Sequence, residues 1–105
     1  MSFMVPPVLT PSNGGTASVQ LNAGTTTSNV ALPLDASGKP PVACYISTNG
    51  TVYVTLGQSG ITATASGILM NINNPIILNT RNMTYLAGLS PSGNVLINIT
   101  PLEIG

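Results

Sequence analysis

The sequence predicts an all-β fold: an antiparallel β-sandwich of jelly-roll or Ig-like type, with eight to nine short strands. Three observations point there. Short runs rich in Val, Ile, Thr and Tyr recur at roughly 8–12-residue spacing, each closed by Gly, Pro, Asn or Ser. No segment carries an apolar helical period with capping residues. Strong helix formers are scarce, with one Lys, one Arg and one Glu in 105 residues. The length allows one domain, and at this size a chain buries roughly two-thirds of its unfolded surface, enough for a sandwich core without staples.

Residues 1–16 read as an extended arm and 17–105 as the sandwich. In the arm, Pro6, Pro7 and Pro11 fix φ and remove donors, and Asn13-Gly14-Gly15 reads as a flexible joint. Phe3, Met4, Val5, Val8 and Leu9 make the arm more apolar than a disordered linker. These five are the candidate partner-interface residues. An arm of this kind covers either its own sandwich or a neighbour.

The strands follow in order. Residues 17–21 alternate, and 25–32 begin polar and β-prone and stop at Pro33. Residues 35–41 form a loop by composition and hold two of the charges, Asp35 and Lys39. The apolar run 42–47, the Asn49-Gly50 pair and the β-branched run 51–56 predict a hairpin, because Asn-Gly favours positive φ at both central turn positions. Residues 61–65 alternate and read as a further strand. Residues 68–72 and 76–79 are apolar runs split by Asn73-Asn74-Pro75, and Pro75 marks the second as an edge strand. Residues 84–89 form another strand, Ser90-Pro91-Ser92-Gly93 turns the chain, and 94–100 form the last, which Pro101 should end.

Charge narrows function. Asp35, Lys39, Arg81 and Glu103 are the only charged side chains, and they sum to zero. An ordinary domain is about a quarter charged, and a dispersed monomer keeps its net charge away from zero. Polarity comes from Ser, Thr, Asn and Gln, which meet a partner without the desolvation cost of a charge. Such a surface reads as one to be covered. Thr62 with Thr64, and Thr51 with Thr55, are candidate faces for it.

Other classes fall away on composition. With no His, a Ser or Thr nucleophile has no near-neutral base, and Asp35 and Glu103 lie in a loop and a tail, an unpromising carboxylate pair. No enzymatic activity, cofactor or metal is expected. Two basic residues cannot neutralise a run of phosphates, so nucleic acid is not expected as a partner. No apolar stretch is long enough to span a bilayer, and Met1–Pro7 lacks the pattern of a signal peptide. Cys44 sits in an apolar run and reads as a small buried hydrophobe. Tyr45, Tyr53 and Tyr85 lie within strands and read as packing residues before they read as a sugar platform. The Asn49, Asn82 and Asn98 sequons are expected by chance in a chain so rich in Asn and Thr.

The segment from Val42 through Asn49-Gly50 to Leu56-Gly57 is followed by Ile61–Ala65, the apolar pieces around Asn74-Pro75-Ile76, Tyr85–Gly88 and Asn94–Pro101. This order, over roughly residues 17–101, resembles small all-β virion proteins of tailed bacteriophages. The resemblance implies a capsid decoration (cement) protein of the virion, made in the host cytoplasm. It would act as a homo-oligomer, trimer or dimer, on the major capsid protein or other virion subunits. It implies no catalytic residues, and arms that hold neighbours together. The alternatives are a head-fibre, tail or receptor- or glycan-binding module, and a non-viral surface-assembly subunit.

Overall fold

The computed structural model describes residues 9–104. They form nine strands: β1 (Leu9–Pro11), β2 (Val19–Ala23), β3 (Ser28–Ala31), β4 (Ala43–Thr48), β5 (Val52–Gly57), β6 (Ile68–Met70), β7 (Ile76–Asn79), β8 (Tyr85–Leu89) and β9 (Val95–Ile104). Every pairing is antiparallel and the pairings are nested: β2 with β9, β3 with β8, β4 with β7, β5 with β6. The chain is therefore one long two-stranded ribbon, running out through β2–β5 and back through β6–β9. Rolling it up brings β4 onto β9 and β5 onto β8. One sheet then reads β2-β9-β4-β7 and the other β3-β8-β5-β6. This is the jelly-roll order, and it decides against the Ig-like alternative. β7 lies at a sheet edge, where Pro75 placed it.

The expected hairpin over 42–56 does not form. β4 and β5 lie in opposite sheets, and residues 49–51 arch between them. Neither Asn49 nor Gly50 takes positive φ. Asn49 instead pairs with β9: its N–H donates to the Leu96 carbonyl (3.2 Å), and its Oδ1 accepts the Leu96 N–H (2.8 Å). Burial explains the choice. Cys44 and Ile46 on β4, and Val52 and Val54 on β5, are all fully buried in one cluster. Two strands with such inner faces cover one another best from opposed layers.

Residues 61–65 are not a strand either. They lie as a strap beside β3, held by Ala63 N–H donating to Thr27 Oγ1 (2.7 Å) and by Asn29 Nδ2 donating to the Ile61 carbonyl (3.2 Å). Within the strap, the Ala63 side chain is buried. A strand carries its own ladder, but here two side chains supply the bonds, so the alternating pattern gave the wrong assignment.

β9 runs through Pro101 to Ile104 rather than stopping before it. The Asn49–Leu96 bonds show that even-numbered residues of β9 aim their backbone groups at β4, so odd-numbered ones face the opposite side. Pro101 thus lacks its N–H on the side shared by β1 and β2. There Val19 pairs with Ile99 and Pro11 with Leu102. The seven residues 12–18 face only Thr100 and Pro101, so the missing donor falls where the ladder changes partner. The excess chain forms a turn over Ser12–Gly15, with Asn13, Gly14 and Gly15 at φ of 52, 66 and 95°. The expected flexible joint is this left-handed turn, closed by Thr16 Oγ1 donating to the Asn13 carbonyl (2.9 Å).

Candidate assembly surface

Of the five candidate interface residues, Phe3, Met4, Val5 and Val8 lie outside the described residues. Leu9 is half-buried on β1 and pairs with Ile104 of its own β9. The arm is thus anchored from residue 9 onward by its own sandwich.

Leu9 borders a feature that sequence reasoning missed. In β4, Cys44 and Ile46 point inward, so Tyr45 points out, and it is 39% exposed. Its neighbour on β7 in the register is Ile77, 55% exposed, and its neighbour on β9 is Thr100. Across the next rows stand Leu102 and, opposite it on β1, Pro11. Together with Gly15 these residues line a shallow groove of about 380 Å³ on the outer face of the β2-β9-β4-β7 sheet. No charged side chain lines it. The uninterrupted apolar run of β4 was the available signal: a strand apolar on both faces has one face left over after the core takes the other.

The polar rim is a ladder of neutral side chains. Ser18 and Thr100 share a hydroxyl hydrogen bond (2.7 Å), Asn98 Nδ2 donates to Thr100 Oγ1 (3.3 Å), and Gln20 Nε2 donates to Asn98 Oδ1 (3.5 Å). Neutral groups that already satisfy one another can be covered at small cost.

A second apolar depression, of about 360 Å³, lies where the 32–42 loop leaves β3. Pro33, Leu34, Pro40, Pro41, Met83 and Tyr85 contribute to its lining. The loop above it is organised by Asp35, whose Oδ1 accepts from Ser37 Oγ (2.6 Å), Ser37 N–H (2.9 Å) and Lys39 N–H (3.0 Å). The bond from the Ser37 hydroxyl, then that from the Lys39 amide, hold the carboxyl below its ordinary pKa. Asp35 is a loop organiser here.

Cys44 is fully buried, 3.8 Å from the Thr80 hydroxyl. Burial pushes its thiol pKa up, against a smaller lowering by Thr80. Of the candidate Thr faces, Thr62 and Thr64 are exposed on the strap and Thr51 bonds Asn71 Oδ1 (3.2 Å), while Thr55 lies half-buried beside Gly67. Among the described residues, no three His, Cys, Asp or Glu side chains gather as a metal site, and no helix is long and apolar enough to cross a membrane. The chain matches no family model, no curated protein and no solved structure.

Proposed function

We propose that this protein is a structural subunit of a virion, a decoration (cement) protein that binds the outside of the capsid and acts without catalysis. The observation that carries the reading is the uncharged apolar groove of Tyr45, Ile77 and Leu102 beside the arm's point of entry. Exposed apolar patches rimmed by polar groups mark interaction surfaces. The four-charge composition fits a surface that spends its working life covered. The jelly roll adds support by analogy alone, since the fold recurs in viral capsid and lectin domains. The action is stapling: each copy buries neutral faces across junctions between capsid subunits, and the added contacts resist outward pressure. A stable junction of this kind buries roughly 1,200–2,000 Å².

Immunogold electron microscopy of particles purified from the source culture tests the proposal, using antibodies against this chain. Gold distributed over the shell is the expected result. Gold confined to tails or fibres, or absent from particles, overturns it.

One observation favours a second reading, a glycan-binding module: the Tyr45 ring is exposed in a groove, where it could stack on a sugar face. Against it, Thr100 supplies the groove's side-chain hydroxyl besides Tyr45, and it is already bonded to Ser18 and Asn98. A sugar's hydroxyls would find few partners there. Glycan-array binding lost on Tyr45→Ala would establish this reading instead.

A further inference from the structure

We propose that Asn13 is a site of spontaneous covalent modification, converted in the folded protein to an aspartyl or isoaspartyl residue, and that the fold protects Asn49 from the same reaction. The chain holds two Asn-Gly pairs, Asn13-Gly14 and Asn49-Gly50. A glycine after asparagine leaves no Cβ in the path of the next amide nitrogen, so in an unfolded chain both pairs are equally prone. Only the fold separates them. The inference is independent of what the protein assembles with.

The reaction needs only water. The Gly14 backbone nitrogen loses its proton to solvent base and attacks Asn13 Cγ, so a Cγ–N bond forms. The Cγ–Nδ2 bond breaks, and Nδ2 leaves as ammonia with a proton from solvent. Water then opens the resulting succinimide ring. Cleavage of the new Cγ–N bond leaves an aspartyl residue. Cleavage between the Asn13 backbone carbonyl carbon and the Gly14 nitrogen leaves an isoaspartyl residue, with the chain continuing through Cγ. Either route consumes one water, releases one ammonia and leaves one carboxylate, with no oxidation or reduction.

Geometry leaves Asn13 free to react and holds Asn49 back. Asn13 is exposed, at φ 52° and ψ 34°, and Gly14 follows at φ 66°. Ring closure requires the Gly14 nitrogen to rotate toward Cγ, so the turn must open first. Left-handed backbone is costly for a residue with a Cβ, and opening relieves Asn13 of it. The turn is closed by the Thr16 hydroxyl and N–H, which both donate to the Asn13 carbonyl (2.9 and 3.2 Å). Its first side chain, Ser12, buries a hydroxyl that finds no partner among the described residues, and opening lets that hydroxyl reach water. A Cβ at Gly14 would meet nothing within 4 Å, so the ring has room. Asn49 differs at each point. Its Oδ1 accepts from the Leu96 N–H (2.8 Å) and its own N–H donates to the Leu96 carbonyl (3.2 Å), which fixes Cγ against β9. Thr48 Oγ1 donates to the Gly50 carbonyl (2.6 Å), and a Cβ at Gly50 would stand 3.0 Å from Val95 Cγ2. Presenting Cγ to the Gly50 nitrogen means dismantling the arch between the sheets, a far rarer opening than that of a surface turn. The product matters for the groove of Tyr45 and Leu102, because Gly15 of the same turn lines it. The charged side chains now sum to zero, so the reaction gives the chain a net negative charge, on a turn that borders an uncharged groove. A partner that covers the turn together with the groove then has an ion to desolvate.

The test incubates the full-length native protein in mildly alkaline buffer made with water enriched in heavy oxygen, beside a parallel sample in denaturant, and maps the peptides of both by mass spectrometry. Native Asn13 should convert at least about tenfold faster than Asn49, with one solvent oxygen incorporated per event. In denaturant the two rates should agree within about threefold, which assigns the difference to the fold. Asn13→Gln should abolish the fast-forming acidic species on isoelectric focusing. An Asn13 that stays intact in the native protein while converting in denaturant overturns the proposal, because the turn then protects it. Asn49 keeping pace with Asn13 in the native protein overturns it too, as does an acidic species that survives Asn13→Gln. A tenfold difference that persists in denaturant counts against it as well, by tracing the selectivity to local sequence.

Discussion

Two titratable side chains show how little this protein relies on charge, and why. Asp35 works through geometry: one oxygen collects the Ser37 amide, the Ser37 hydroxyl and the Lys39 amide, and so shapes the loop over the second depression. Its folded pKa lies below the unfolded value of about 3.9, so its contribution is fully present above that pH and is lost as pH falls through the folded value. Amide spectra of Ser37 and Lys39 should be constant above about pH 5 and shift together only below about pH 4. A midpoint above 4 contradicts the loop geometry. Cys44 presents the opposite case. Its thiol is sealed in the core and its pKa is raised by burial, so a maleimide should leave it unmodified in the native protein and label it fully in denaturant. Rapid native labelling would mean that the β4 face opens.

The strands owe their placement to a few contacts between layers. Gly88 of β8 packs directly against the opposite sheet: a Cβ there would stand 2.8 Å from Ile97 Cδ1 and 3.1 Å from Ala23 Cβ. Ile97 can move its end, but Ala23 has nothing to move. Gly88→Ala should therefore destabilise by about 1–3 kcal/mol, read by urea unfolding, although alanine normally improves on glycine in a strand. The β4–β5 arch depends on Asn49, whose side chain and amide clasp Leu96 on β9. Asn49→Ala should cost about 0.5–1.5 kcal/mol through the unpaired Leu96 N–H. Were Asn49 only a turn former, Asn49→Gly would be tolerated as well as the wild type. The clasp requires Asn49→Gly to lose as much as Asn49→Ala.

At the scale of the molecule, four charged side chains sum to zero, and the contacts of the proposed assembly are apolar or hydrogen-bonded. Self-association should therefore change little with salt. Between about 0.05 and 0.5 M NaCl the screening length shortens from roughly 14 to 4 Å, with few charges for it to act upon. Sedimentation equilibrium should give dissociation constants that agree within about threefold across that range. A change of orders of magnitude would show that Asp35, Lys39, Arg81 or Glu103 carries the interface. The same neutrality leaves nothing on the exposed face of β4 that would repel a partner in the proposed assembly.

The sandwich class, the absence of α-helix among the described residues and the approximate places of most strands were legible in the sequence because β-branched residues and turn formers act locally. Pro75 announced an edge strand for the same reason, since a missing N–H is a property of one residue. Three assignments failed where the outcome depends on partners distant in the chain. The Asn49-Gly50 pair reads as a hairpin turn until Leu96 supplies a competing partner. The alternation of 61–65 reads as a strand until Thr27 and Asn29 bond it from the side. Pro101 reads as a stop until β9 is seen to change partners from β2 to β1 beside it. The groove follows the same logic. Tyr45 and Ile77 are plain apolar strand residues in sequence, and only the register between β4 and β7 sets them side by side on the outer face. Local propensity selects strand over helix residue by residue. Which strands share a sheet, and which apolar face is left uncovered, is settled by the nested long-range pairing of the rolled ribbon.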